Sequence, residues 1–242
     1  MPCRRSALPG TRCGPALATY ARRVQPLPLF PLPSVLVPGL VLPLHVFEPR
    51  YRALSRHLEE LPAQRRVFGV VALKPGRDVR EGADALHDVG TTAVVRDMTA
   101  LEDGRYEIVT SGALRFRLHG LDETAGTEWA TGLVTPLDEP DGDADRAPAL
   151  AARVRTAFAA YRARLGNGED DAVTITSPKV VSYLVTAGMV LDLPERQHLL
   201  SLPDTTSRLT AELRLLARED AMLEATGALP QTSPDLSFAT PN

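Results

Sequence analysis

The stretch from Gln25 to Leu58, QPLPLFPLPSVLVPGLVLPLHVFEPRYRALSRHL, constrains this chain more than any other. Proline stands at positions 26, 28, 31, 33 and 38 and again at 43 and 49, and nearly every other position as far as Phe47 is apolar. A ring nitrogen gives no hydrogen to a sheet ladder or a helix, so such a run is expected to form neither a central strand nor a helix interior. It is also too apolar for a solvated linker. Short extended pieces joined by turns and packed on a core are what remain. The run ends in a helix start: Glu48-Pro49 supplies a carboxylate and a fixed φ, and Tyr51, Leu54 and Leu58 follow at spacings of three and four.

Apolar residues make up 44% of the 242-residue chain and charged residues 24%, the balance of a globular protein of one large or two modest domains. A formal charge of -3 offers no broad attraction for phosphate backbones, so nucleic acid is not an expected partner. No run of 18 apolar residues predicts a membrane span. Cys3 and Cys13 precede the first structured segment and read as free thiols in a reducing cytoplasm. Residues 1–24 hold five arginines and no acid without an apolar signal core, and are expected to be disordered.

Downstream, residues 66–73 (RVFGVVAL) and 90–98 (GTTAVVRDM) read as strands, and Leu101-Glu102-Asp103-Gly104 reads as a hairpin turn. Residues 105–109 read as the return strand, and in the strand that comes next Leu114, Phe116 and Leu118 are expected on one face and Arg115, Arg117 and His119 on a wet one. With a further strand over 129–136, residues 25–137 predict a small β-barrel or sandwich carrying one helix. Residues 138–148, with Asp138, Glu139, Asp141, Asp143 and Asp145 among Gly and Pro, read as an acidic linker. Over 149–228 the period changes to that of helices. Leu150, Val154, Phe158, Tyr161 and Leu165 form one stripe, stopped by Gly166-Asn167-Gly168, and Ser177, Asp192 and Asp204 are placed to cap three more helices. The prediction there is an α-helical bundle, followed by a disordered tail over 229–242.

The order of LPLFPLPSVLVPG and LVLPLHVFEPRYRAL, then of Val89-Gly90-Thr91-Thr92-Ala93, Asp103-Gly104-Arg105 and Gly112-Ala113-Leu114-Arg115-Phe116-Arg117, and finally of YLVTAGMVLDLPERQHLLSLPDTTSRLTAELRLLARE, resembles the Lon substrate-binding domain, the N-terminal module of the ATP-dependent protease Lon. Val46 replaces the more usual isoleucine. The resemblance spans about residues 25–220. It implies an α+β fold, a PUA-like β-barrel with one packed helix followed by a C-terminal α-helical bundle. It also implies a reader of unfolded or hydrophobic polypeptide segments, acting alone or delivering them to a separate ATP-dependent protease.

Chemistry finds no foothold in the letters. A P-loop needs Gly-Lys-[Ser/Thr], but Lys74 follows Leu73 and Lys179 follows Pro178. A Ser-Lys dyad from Ser177 or Ser182 with Lys179 would need a desolvated base, whereas Lys179 falls in the first turn of a helix. The five histidines, His45, His57, His87, His119 and His198, lie in separate segments without metal-site spacing, and His45 is expected beneath the Pro-rich run. Catalytic residues, metal ligands and cofactors are therefore all expected to be none. An RNA-binding barrel and a peptidase with an unrecognised site are the competing functions; the first rests on fold analogy alone.

Recognition by an apolar groove remains. Leu36, Val37, Leu40 and Val41 are its candidate lining, because a Pro-rich loop at a sheet edge cannot pair fully with its neighbours. Core packing is the more ordinary role for all four. Arg50 and Tyr51 are candidates to orient a bound segment; the more ordinary roles are a staple for Tyr51 and an answer to Glu48 for Arg50. The junction between barrel and bundle offers a second cleft, and the letters do not rank the two.

Overall fold

A computed structural model describes residues 23–166 and 175–226. Cys3, Cys13, residues 1–22 and 229–242 of the two expected tails, Asn167 and Gly168 lie outside the described residues. The elements run β1 (Gln25–Leu32), β2 (Val41–Val46), α1 (Pro49–Glu60), β3 (Val67–Ala72), β4 (Val89–Ala100), β5 (Tyr106–Leu121), β6 (Thr131–Pro136), α2 (Ala147–Arg164), α3 (Pro178–Gly188), α4 (Leu193–Ser201) and α5 (Thr205–Thr226), with short 3-10 turns at Ala63–Arg65 and Val79–Ala85.

The strands form one sheet in the order β2-β5-β4-β3-β1-β6, closed into a barrel by β5 pairing with β6. The long β5 serves both ends: Tyr106–Ser111 pairs with β2, and Phe116–Leu121 pairs with β6. The proline-rich β1 stands between β3 and β6, against the expectation that it could not be a central strand. Its ladder is divided: Gln25–Pro28 pairs antiparallel with β6, then Leu29–Leu32 pairs parallel with β3. Each proline therefore has an unpaired side on which to turn its nitrogen. Both faces of β1 and β3 are buried. Phe30, Leu32, Phe68 and Val70 meet Tyr51, Leu54 and Leu58 of α1 on one face, while Leu29 and Val71 meet Phe116, Leu118 and Val134 on the other.

A bulge corrects the wet-face assignment in β5 at Arg115, while Arg117 and His119 are exposed as expected. Ala93 pairs with Gly112 and Thr91 with Arg115, so β5 holds one more residue than β4 between those two pairs. An extra residue interrupts the alternation where it is inserted. Leu114 is consequently exposed and Arg115 is buried, while Phe116 and Leu118 still face inward and Arg117 still faces out. Register also places His45 on the half-buried outer side of β2 opposite Glu107, not beneath the Pro-rich run.

The bundle forms as its periodicity predicts: Leu150, Val154, Phe158 and Tyr161 of α2 pack with Val181 and Val185 of α3 and Leu209 and Leu216 of α5. Asp192 accepts the Glu195 N–H at 2.8 Å and Asp204 accepts the Ser207 N–H at 2.7 Å, as caps should. Ser177 holds the N-cap position of α3 but makes no capping bond; that end is exposed, and water can serve its amides. Gly166 leaves α2 with φ +77°, the left-handed turn that suits glycine. The segment over 138–148 is not a free linker. α2 begins inside it at Ala147, the Pro140 and Asp141 carbonyls accept the Thr205 and Thr206 amides at the start of α5, and Glu139 is drawn into the junction described below.

Candidate polypeptide-binding surface

Six side chains are singled out by the letters, and the structure disperses them. Leu36 and Val37 are buried in the turn between β1 and β2, where Thr91 Oγ1 donates to the Leu36 carbonyl at 2.7 Å. Neither offers surface to a ligand in this conformation, because the turn is pressed onto β4 and β5. Tyr51 is buried and stacked on Phe30 with ring centroids 4.0 Å apart, and that burial pushes its hydroxyl up to about 12. Arg50 lies over the Tyr51 ring at 4.8 Å and is held by Glu48, whose Oε2 accepts from Nε at 2.9 Å and Nη2 at 2.6 Å. Leu40 is half-buried, and Val41 is 56% exposed.

Val41 belongs to a larger apolar face. The Gly112 N–H donates to the Leu40 carbonyl at 2.8 Å, which sets the phase of the β2–β5 ladder. Even-numbered residues of β2 exchange bonds with β5, and odd-numbered Val41, Pro43 and His45 direct their backbone groups toward the side where β2 has no hydrogen-bonded neighbour. The side chains of those odd residues are on the outer face. Pro43 stands opposite Val109, which is 37% exposed, and Phe47, equally exposed, follows just past the strand. Directly opposed side chains of such a pair lie within contact of each other. Polar groups rim this face: Arg105 binds Asp103 at 2.5 Å and approaches His45 Nε2 at 3.1 Å, and Arg96 Nε donates to Ser111 Oγ at 2.7 Å. Sequence reasoning missed Val109 and Phe47. Alternation counted outward from Glu107 was the available signal.

The barrel and bundle meet at a buried polar junction. Arg115 of β5 is 1% exposed and gives Nε to Glu139 Oε1 at 2.5 Å and Nη1 to the Leu200 and Leu202 carbonyls at 2.6 Å each. The other Glu139 oxygen accepts the Tyr183 hydroxyl of α3 at 2.7 Å and lies 3.7 Å from Arg208 Nη2 of α5. Arg208 stacks on the Tyr183 ring at 4.0 Å and donates Nε to Ser182 Oγ at 2.7 Å. Burial raises the Tyr183 hydroxyl and lowers the Arg208 guanidinium from their ordinary values. Glu212, fully buried, accepts from Thr186 Oγ1 at 2.8 Å, and burial holds its carboxyl well above the usual carboxylate range. This cluster holds two domains in register; it contains no poised nucleophile, because the Ser182 hydroxyl is committed to Arg208 and not to the Lys179 amine.

A second recess, of about 490 Å³, lies between the acidic connector and the bundle, with Arg146, Leu150, His198, Leu202 and Arg214 among its lining residues. Among the described residues no group of three His, Cys, Asp or Glu side chains is arranged to hold a metal, and no helix is long and apolar enough to cross a membrane.

Comparison with known proteins places these features in company. Residues 26–218 match the ATP-dependent protease La (LON) substrate-binding domain. Lon protease 4 of Sorangium cellulosum (strain So ce56) is 33% identical over 202 residues, which are 82% of this chain and 24% of that protein. The Lon protease of Trichlorobacter lovleyi is 31% identical over 204 residues, 81% of this chain and 24% of that one. The chain thus spans about a quarter of the length of these curated relatives. The crystal structure of a Lon N-terminal domain protein from Xanthomonas campestris superposes with a TM-score of 0.57 at 25% identity, covering 80% of this chain and 98% of that one. The N-terminal domain of the Mycobacterium avium complex Lon protease, with a TM-score of 0.63 and 17% identity over 80% of this chain and 98% of its own, shares the fold.

Proposed function

This chain belongs to the Lon substrate-binding domain family, and on that premise we propose that it captures unfolded or hydrophobic polypeptide segments on the Val41–Pro43–Val109 face and breaks no bonds in them. The observation that carries this reading is that face itself: contiguous apolar side chains left open on an otherwise well-packed barrel. Covering apolar surface yields roughly 25 cal/mol per Å², so some 200 Å² would supply about 5 kcal/mol before association costs are subtracted. Weak, sequence-tolerant binding follows, which suits a reader of many exposed segments. Residues 1–242 carry no P-loop lysine, and on this reading captured segments are handed to an ATP-dependent protease for degradation.

The test is the paired substitution Val41→Asp and Val109→Asp, with binding followed by anisotropy of a fluorescein-labelled, permanently unfolded carboxymethylated lactalbumin. Both positions face solvent, so thermal unfolding should be unchanged while affinity falls about tenfold or more. Equal binding by the paired variant and the parent would defeat the assignment.

A further inference from the structure

The recess between connector and bundle is built from three helices and the acidic segment, and its chemistry is specific. Leu150 of α2, Leu202 just past α4 and Ala211 of α5 give it apolar lining, and Arg146, His198 and Arg214 bring basic side chains to it from three separate elements. Among the described residues His198 and Arg214 have neither a hydrogen-bond nor an ion-pair partner, and Arg146 has only a loose approach of 3.8 Å to Asp143. The hydroxyls in the wall are already committed: Ser207 Oγ donates to Asp204, Thr206 Oγ1 to the Asp141 carbonyl and Thr210 Oγ1 to the Thr206 carbonyl. The free side-chain donors of this recess are therefore its basic residues.

From this arrangement we infer that the recess takes the C-terminal carboxylate of a polypeptide, with the last apolar side chain against Leu150, Leu202 and Ala211 and the carboxylate between Arg146 and Arg214. A volume of about 490 Å³ suits the end of a chain rather than a long strand passing through. Guanidinium groups bind carboxylates by charge-assisted, often two-pronged hydrogen bonds. Phosphate is the poorer fit for two reasons. The first amides of α5 are already bound to Pro140, Asp141 and Asp204, leaving no backbone cradle, and the Asp143 and Asp204 carboxylates in the wall repel a doubly charged anion. This assignment rests on the polypeptide-capture reading and adds a second contact to it, one that selects chain ends rather than exposed interiors.

The whole chain is titrated with a fluorescein-labelled Gly-Ser-Gly-Ala-Leu peptide as its free acid and as its C-terminal amide. The free acid should bind about tenfold more tightly, and Arg214→Gln should abolish the difference, with Arg146→Gln reducing it. Arg214 is exposed and unpartnered, so its loss leaves thermal unfolding in place. Equal binding of acid and amide, an acid preference untouched by Arg214→Gln, or displacement of the peptide by inorganic phosphate as readily as by unlabelled peptide would each overturn the assignment. Unfolded carboxymethylated lactalbumin, titrated into the same samples, separates the two sites. Retained lactalbumin binding with no acid preference removes only the recess, and an acid preference with lactalbumin binding undiminished in the Val41→Asp, Val109→Asp variant removes only the apolar face.

Discussion

Arg115 and Glu139 are joined by a 2.5 Å salt bridge in which the arginine is 1% exposed and the glutamate 15%, and this one pair ties the barrel to the connector and the bundle. The guanidinium also satisfies two carbonyls at the end of α4, while the carboxylate also accepts the Tyr183 hydroxyl. A buried pair of this kind adds little over a well-packed apolar substitute, yet removal of one member strands the other.

Arg115→Met should therefore cost about 3–5 kcal/mol, since Glu139 would lose its nearest cation and the Leu200 and Leu202 carbonyls their donor. Urea unfolding followed by far-UV circular dichroism measures this, and a loss below about 1 kcal/mol would mean that water replaces the guanidinium without difficulty.

Gly112→Ala should be poorly tolerated although φ at this position is unremarkable. A Cβ there would stand 2.3 Å from the Val37 carbonyl oxygen, a backbone atom of the turn that covers β4 and β5. Overpacking of this kind costs about 1–3 kcal/mol. The thermal midpoint should fall, and the same substitution at Gly120, whose Cβ would meet nothing within 4 Å, serves as the control.

Pro43 guards the open side of β2. Its nitrogen faces the unpaired edge, where a hydrogen would let another strand add to the sheet. Pro43→Thr should make the protein self-associate as concentration rises, read by sedimentation velocity. A sedimentation coefficient identical to that of the parent at every concentration would show that side chains alone protect this edge.

Glu212 predicts a pH dependence of definite sign. Its carboxyl titrates higher in the folded chain than in the unfolded one, so the folded state holds more protons between those two values. Stability then falls as pH rises through that window, by the linkage relation. Glu212→Gln keeps an acceptor for Thr186 and removes the titration, and the parent should lose more stability than this variant between acidic and alkaline buffers. Parallel pH profiles of the thermal midpoint for the two proteins would refute the assignment.

Much of the architecture is legible in the letters, because the signals are local. The helix that begins at Pro49, the Asp103-Gly104 turn and the caps at Asp192 and Asp204 depend on residues within a few positions of one another. The candidate site is less legible. The proline-rich run announces extended pieces packed on a core, though not that β1 would stand between two strands, and exposure there depends on what covers each side chain. Val37 is pressed against Gly112 of β5, distant in the chain, whereas Val41, four residues on, is open.

Composition, period and punctuation by themselves determined that a strand-rich half with one helix precedes a helical half, since hydrophobic spacing and capping residues act over one turn or one strand. Tertiary structure alone decided that β5 carries a bulge, that Arg115 consequently points inward to Glu139 while Leu114 faces solvent, and that Val41 and Val109 share one open face. Alternation along a strand is fixed by its register with a neighbour distant in the chain, and a single inserted residue interrupts it in a way no local pattern records.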